Sequence, residues 1–296
     1  MIRDFRYELT AEAADKTITQ YLHQMGYSHH IITSLKRTPA GICLNGSRAY
    51  VSQRIRPGDI LTIHLEEPES SRGIVPAPVP FDILYEDMDL LIVNKPADTP
   101  IHPSPGNFNN TLANGIACYF ARQNIPYVYR CINRLDRDTT GLLILAKHGI
   151  SGAILSNQMM KRRIIRTYRA LAEGITPSEG TIDAPIARKE GSVIERCINY
   201  EAGERAVTHY RRLDKGQIGS GSEKILYSRL ELKLETGRTH QIRVHMQSIG
   251  HPLLGDTLYH PENHAGFSHQ ALHSYSLKFT HPITGAPMYF SVPEPW

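Results

Sequence analysis

The densest group of reactive side chains is Asn133-Arg134-Leu135-Asp136-Arg137-Asp138-Thr139-Thr140-Gly141, which runs directly into the apolar segment Leu142-Leu143-Ile144-Leu145-Ala146. Two carboxylates and two guanidiniums within five residues imply pairing that keeps the acids ionised. Loops held by rigid strands are where catalytic groups concentrate. The pattern alone leaves two readings, a carboxylate-based site or a turn stitched by salt bridges. A second group is Glu235-Thr236-Gly237-Arg238-Thr239-His240-Gln241-Ile242-Arg243-Val244-His245. Here a strand ends at Glu235, Gly237 permits a sharp turn, and Thr239 can cap a helix over 239–249. Ile242, Met246 and Ile249 form its apolar stripe, which leaves His240 and Arg243 free to face a cleft, and polar groups at a helix start suit an anionic ligand. The two histidines are five apart and lack the glutamate of H-E-x-x-H, so they do not read as a metal pair. A third group, Lys161-Arg162-Arg163-Ile164-Ile165-Arg166-Thr167-Tyr168-Arg169, holds five basic residues in nine with one aromatic. It suits phosphates and a stacked base, or is the solvated basic end of a helix.

These groups need a frame. Residues 81–296 alternate short strands with helices predicted at 110–123, 149–161 and 239–249. Ile83-Leu84-Tyr85 and Leu90-Leu91-Ile92-Val93 flank an acidic turn and read as a hairpin. Residues 142–146 read as a strand buried on both faces, and 228–235 alternates as a strand with one wet face. Consecutive strands often lack an intervening helix, which predicts an α+β fold with a mixed, mostly antiparallel sheet. Residues 67–80 hold four prolines and read as a semi-extended linker. Residues 1–66 read as a separate small α+β unit: helices around Ile18–Leu22 and Ile31–Lys36, an Asn45-Gly46 turn, and a strand at Ile60–Leu65. With Lys36, Arg37, Arg48, Arg54 and Arg56 nearby, that unit fits an RNA-docking module and a capping subdomain equally well.

Several functional classes fall away. No stretch of about 18 apolar residues is present, and the start Met1-Ile2-Arg3-Asp4-Phe5-Arg6 lacks the apolar run of a secretory signal. Four cysteines at 43, 118, 131 and 197 show no short pairing, which predicts buried thiols in a reducing cytosol. A net charge of +4 permits a polyanionic partner without demanding one. Asn94-Lys95-Pro96-Ala97 begins like a guanine-reading motif but ends in alanine, and no phosphate-binding glycine loop, dinucleotide fingerprint or G-x-S-x-G elbow occurs.

Taken together, the motifs over residues 81–292 resemble the RluA/RluD family of pseudouridine synthases. The family's H-R-L-D-x-x-T-S-G-L-L loop is matched by 133–143, with Asn133 for histidine and Thr140 for serine. Asn94-Lys95-Pro96, Ile101-His102-Pro103-Ser104 and Thr111-Leu112-Ala113-Asn114 match its first motif. Thr236–His245 and Gly250-His251-Pro252-Leu253-Leu254-Gly255-Asp256 match its last, although His260 follows Tyr259 where a glycine is common. Residues 1–66 resemble, more loosely, the alpha-L RNA-binding module carried by many members.

The resemblance implies isomerisation of uridine within RNA to pseudouridine, in ribosomal RNA first and transfer RNA second, by a cytoplasmic monomer without cofactor or metal. It implies that Asp136 is the essential carboxylate, acting at carbon 6 of the base or carbon 1 of the sugar. Arg243 is implied as its charge partner and Tyr168 as the ring that stacks on the base and helps remove the proton from carbon 5. Asn133, Arg134, Thr140, His102, Arg238, His240 and Gln241 are implied on the substrate side, with Lys161, Arg162 and Arg166 from the basic run. Two other classes fit parts of the pattern: an idle RNA-binding protein on the same fold, and a glycoside hydrolase pairing Asp136 with Asp138.

Overall fold

The computed structural model describes residues 1–219, 224–262 and 265–296. In residues 1–66, strands β1 (Ile2–Glu8), β2 (Ile42–Leu44), β3 (Ser47–Arg48) and β4 (Ile60–Glu66) form an antiparallel sheet in the order β1-β4-β2-β3. Helices α1 (Ile18–Gln24) and α2 (His29–Arg37) start where side chains accept the first free amides, Thr17 with Gln20 in a capping box and Ser28 at α2. Their buried faces, Ile18, Leu22, Ile32 and Leu35, meet Leu61 and Ile63 of β4 in one core. That core does not close on itself. Ile150 and Ile154 of α4 (Gly149–Met160) complete it, Arg3 pairs with Asp89 at 2.6 Å, and Arg130 pairs with Glu67 at 2.7 Å.

Residues 67–80 are extended but are strapped down rather than loose. Tyr127 and Tyr129 donate their backbone N–H groups to the hydroxyls of Ser70 and Ser71 at 3.1 and 2.8 Å, and the Asn114 amide donates to the Val75 carbonyl at 2.7 Å.

The large sheet has nine strands. Its order is β5 (Asp82–Glu86), β6 (Leu90–Lys95), β7 (Thr140–Ala146), β14 (Leu272–Thr280), β8 (Ile165–Glu173), β13 (Ile225–Leu234), β12 (Val207–Ile218) and β9 (Glu179–Asp183), with β15 (Pro287–Ser291) also on β14. A separate two-stranded ribbon joins β10 (Ile186–Arg188) to β11 (Arg196–Ile198). All named pairs are antiparallel except β7–β14, which is parallel over Thr140–Gly141 and His273–Ser274. Alternation sorts the central strands into two cores. Leu91, Val93, Leu143 and Leu145 face α3 (Leu112–Ala121) and α5 (Gln241–Ser248), whereas Leu90, Ile92, Leu142 and Ile144 face Leu155 of α4. The strand expected to be buried on both faces is therefore buried at every residue from 140 to 146.

Two local expectations fail. Residues 165–169 belong to β8, so only the first residues of the basic run lie at a helix end. Helix α5 starts later than expected: His240, not Thr239, is its N-cap, and Ile249 lies beyond its end and is exposed. No side chain caps its first turn; the Gln241 side-chain carbonyl instead ties the preceding turn, accepting from the Thr236 hydroxyl at 2.8 Å and the Arg238 N–H at 3.0 Å.

Candidate active site

The loop ahead of β7 is held from below. The Asn133 amide donates to the Leu142 carbonyl at 3.1 Å and accepts from the Ile144 N–H at 2.9 Å, clamping the loop's entry to the strand it precedes. Lys95 is wholly buried beneath it, its ammonium donating to the carbonyls of Pro96 and Arg137 at 2.7 Å each. Burial pushes that ammonium down to about 7 against the pull of Asp138, Asp136 and Asp98. At the loop's exit Gly141 adopts φ +109, and a Cβ there would meet the Ser274 carbonyl oxygen at 2.4 Å. Only glycine lets β7 and β14 approach this closely.

Above this base lies a cleft lined by Arg134, Asp136, Thr139, Arg166, Tyr168, Arg238, His240 and Gln241, with apolar walls from Leu135, Leu234, Ile242 and Leu272. Among the described residues, Asp136 is the only carboxylate on its lining. Its Oδ2 is 3.6 Å from Arg243 Nη1. The guanidinium is itself oriented by Asp256, fully buried, which accepts from Nε and Nη2 at 2.7 Å each. Burial works against the Arg243 charge, but those two bonds and the charges of Asp256 and Asp136 more than offset it. Asp256 Oδ1 also accepts from the N–H groups of Leu258 and Tyr259, which fixes the following turn.

On the other side, His240 Nε2 is 4.0 Å from Asp136 Oδ1, too long for a direct hydrogen bond. Burial, helped by the Arg243 and Arg196 charges, lowers the His240 pKa against the pull of Asp136, so the ring is neutral at pH 7. Its Nδ1 lies 2.8 Å from the Tyr259 hydroxyl, which accepts the backbone N–H of Arg196 at 2.8 Å. Burial raises the Tyr259 phenol to about 12, so it keeps its proton at pH 7 and shares a hydrogen bond with Nδ1. Asp136 thus has a guanidinium 3.6 Å from one oxygen and the neutral His240 ring 4.0 Å from the other.

Tyr168 is buried in β8 with its ring on the cleft wall, and its hydroxyl has no hydrogen-bond partner among the described residues. The strand repeat puts Arg166 on the same face and turns Arg169 away, to Glu231 and the Tyr275 ring.

The sequence model of the family described as RNA pseudouridylate synthase matches residues 89–248, more than half of the chain. The chain belongs to the RNA pseudouridine synthase family. It is 37% identical to the RNA pseudouridine synthase YjbO of Bacillus subtilis over 94% of this chain and 95% of that one. It is also 37% identical to the ribosomal large subunit pseudouridine synthase D of Escherichia coli, over 82% of this chain and 76% of that one. Among solved structures, human RNA pseudouridylate synthase domain containing 1 superposes with a TM-score of 0.61 at 27% identity, covering 74% of this chain and 85% of that one. The protein is accordingly an RluA/RluD-type isomerase acting on uridine in RNA.

Within this synthase the residues singled out from sequence divide by environment. Asp136, Tyr168, Arg134, Arg166, Arg238, His240 and Gln241 share the cleft, and Arg243 stands directly behind Asp136. Asn133 and Thr140 were expected on the substrate side, but both are buried and engaged elsewhere, Asn133 on β7 and Thr140 at 2.7 Å from His273 Nδ1. The Gln241 amide lines the cleft yet is fully occupied, its NH2 donating to the Val207 carbonyl and the Thr208 hydroxyl. His102 is exposed and packs edge-on to Tyr129, off the Asp136 lining. Arg162 pairs with Glu235 at 3.1 Å, and Lys161 is exposed at the α4 terminus. Asp138 accepts from the Asp98 N–H and does not line the cleft, so it offers no second acid beside Asp136.

Sequence reasoning missed the supports: Lys95, Asp256, Tyr259 and Arg196. Lys95 and Asp256 stood inside quoted motifs, but nothing local announces that one underpins the loop and the other aims Arg243. His245 places Nδ1 on Thr208 and Nε2 on the Ala184 carbonyl, both at 2.9 Å. A third cluster, Asp87, Asp89 and His281, is closed by Arg3, His148, Tyr85 and two backbone N–H groups.

Proposed function

We propose that Asp136 is the nucleophile of this synthase and that its substrate is a uridine in structured RNA, large-subunit ribosomal RNA ahead of transfer RNA. The observation that carries the reading is the position of Asp136, the one carboxylate on the cleft lining among the described residues, with the Arg243 guanidinium 3.6 Å from one oxygen and the His240 ring 4.0 Å from the other, in a cleft that Tyr168 also lines. The reaction breaks the bond from N1 to carbon 1 of the sugar, turns the base, and joins carbon 5 to the same sugar carbon, releasing the carbon 5 proton. Asp136 acts either at carbon 6 of the ring or at carbon 1 of the sugar. In both routes Arg243 offsets the cost of holding an anion in a water-poor cleft. Tyr168 stacks on the base and takes part in removing the carbon 5 proton. The base must first leave its stack, which costs a few kcal/mol and least in loops and bulges. Arg134 and Arg166, at the cleft mouth, are suited to hold the neighbouring backbone.

Residues 1–66 act in this reading as an RNA-docking unit. Lys36, Arg48 and the exposed Tyr50 share one surface hollow, where cations meet phosphate and a ring meets a base. The unit works in a monomer in the cytoplasm, and the name of the Escherichia coli relative favours the large ribosomal subunit. Carbodiimide mapping of total RNA from a deletion strain, complemented with wild type or Asp136→Asn, tests the reading. Sites lost on deletion and restored only by wild type are expected. Restoration by Asp136→Asn would exclude the assigned nucleophile.

A further inference from the structure

The β10–β11 ribbon stands beside the cleft and carries an arrangement that suits an anion. Arg188 and Arg196 are direct partners across its two strands, so their side chains project from the same face. Like charges directly opposite one another destabilise a strand pair. The next pair outward shows the opposite solution: Lys189 and Glu195 form a salt bridge at 3.0 Å. Among the described residues, neither Arg188 nor Arg196 has a carboxylate within ion-pair distance. Each binds only carbonyls of its own hairpin, Arg188 that of Val193 at 2.8 Å and Arg196 those of Ile194 and Glu195 at 3.1 Å. Their remaining N–H groups are uncommitted.

The hollow these two arginines line also receives Arg134 and Arg238, and it is continuous with the Asp136 cleft through Arg134, Gly237 and Arg238. Its one acid, Glu204, is already paired with Arg238. Arg134 likewise has no carboxylate partner among the described residues, so three cations face one hollow without a counter-ion. Phosphate matches this set, because guanidinium forks bind its oxygens in pairs.

We propose that Arg188 and Arg196 form a phosphate-binding site for the RNA backbone next to the flipped uridine, with Arg134 closing it on the cleft side. This inference rests on the reading of the cleft as the uridine site. The backbone N–H of Arg196, which a side-chain substitution leaves in place, donates to the Tyr259 hydroxyl at 2.8 Å, so the ribbon variants keep that bond.

The test uses the full-length protein and a substrate RNA transcript, comparing Arg188→Ala, Arg196→Ala, the double variant, and Lys189→Ala on the opposite face. The double variant should weaken RNA binding about ten-fold or more at low salt. Its plot of log affinity against log salt should lose about 0.7 of slope for each phosphate contact removed. At saturating RNA its kcat should stay within about two-fold of wild type, the loss appearing in KM. Arg196→Lys should recover part of the binding, and Lys189→Ala should match wild type. Unchanged affinity and salt slope in the double variant, with wild type active, would overturn the phosphate site alone. A fall in kcat with affinity intact would also overturn it, since the arginines would then only shape the ribbon. A wild-type protein that makes no pseudouridine in any transcript would remove the reading beneath it.

Discussion

Replacing Asp256 by asparagine isolates the charge that aims Arg243. Asparagine keeps an oxygen for the Leu258 and Tyr259 N–H groups, now accepted by Asp256 at 3.1 and 3.0 Å, so the turn survives. What is lost is the charge of a fully buried carboxylate and the Nε–Oδ2 half of its bidentate pair with a guanidinium only 7% exposed, a bond of 2.7 Å. Breaking a buried pair costs about 3–5 kcal/mol, because the remaining charge stays buried without its partner. Unfolding entropy of about 2.1 cal/mol/K per residue puts the slope for a chain of this length near 0.6 kcal/mol/K, so Tm should fall by about 5–8 °C. Arg243 should then turn towards Asp136, from 3.6 Å to direct contact, and blunt the carboxylate. A displacement of that order costs on the order of 100-fold in kcat with little change in RNA affinity. Scanning calorimetry and single-turnover release of tritium from carbon 5 of labelled RNA measure both. A variant with lowered Tm and wild-type kcat would refute the claim that Asp256 sets the geometry at Asp136.

Three further perturbations reach other parts of the account. Tyr168→Phe keeps the stacking ring and removes the free hydroxyl, so kcat should drop by about 100-fold or more while RNA affinity in a filter-binding assay is unchanged. Gly141→Ala places a Cβ against the Ser274 carbonyl at a φ of +109, and urea denaturation should show a loss of about 3–5 kcal/mol. Burial holds the His245 imidazole below its usual 6.5 despite the bond to the Ala184 carbonyl. Below pH 6.5 the unfolded chain therefore takes up a proton that the folded chain refuses, and stability declines as pH falls from 6.5 to the folded-state value. The urea midpoint should drop between pH 7.5 and 5.5, and drop less in His245→Gln.

The fold class was legible because periodicity is a local signal. Residues 90–93 and 142–146 are apolar at successive positions, and the two alternating sets they create do face opposite cores. Strand β8 was not legible, because Arg162, Arg163, Arg166 and Arg169 make its start resemble a charged helix end. Its alternation appears only once Tyr168 and Arg166 are seen to share a wall that Arg169 does not. Type and spacing drew attention to the 133–141 loop and the 236–245 turn, and the family resemblance named the cleft members on them. Asn133 and Thr140 misled because a hydrogen-bonding side chain near a reactive loop serves backbone and substrate equally well on paper. The supports escaped because they act over distance. Lys95 meets Arg137 across 42 residues, and Arg196 meets Tyr259 across 63.

The central claim, that Asp136 performs the chemistry, is tested most directly with purified protein and an RNA transcript carrying tritium at carbon 5 of uridine. Wild type, Asp136→Asn and Asp136→Glu would be compared for tritium release and for RNA affinity in the same preparation. The account predicts release by wild type only, with both variants binding RNA within about three-fold of wild type, because neither alters the phosphate contacts. Release by Asp136→Asn at a rate near wild type would contradict it.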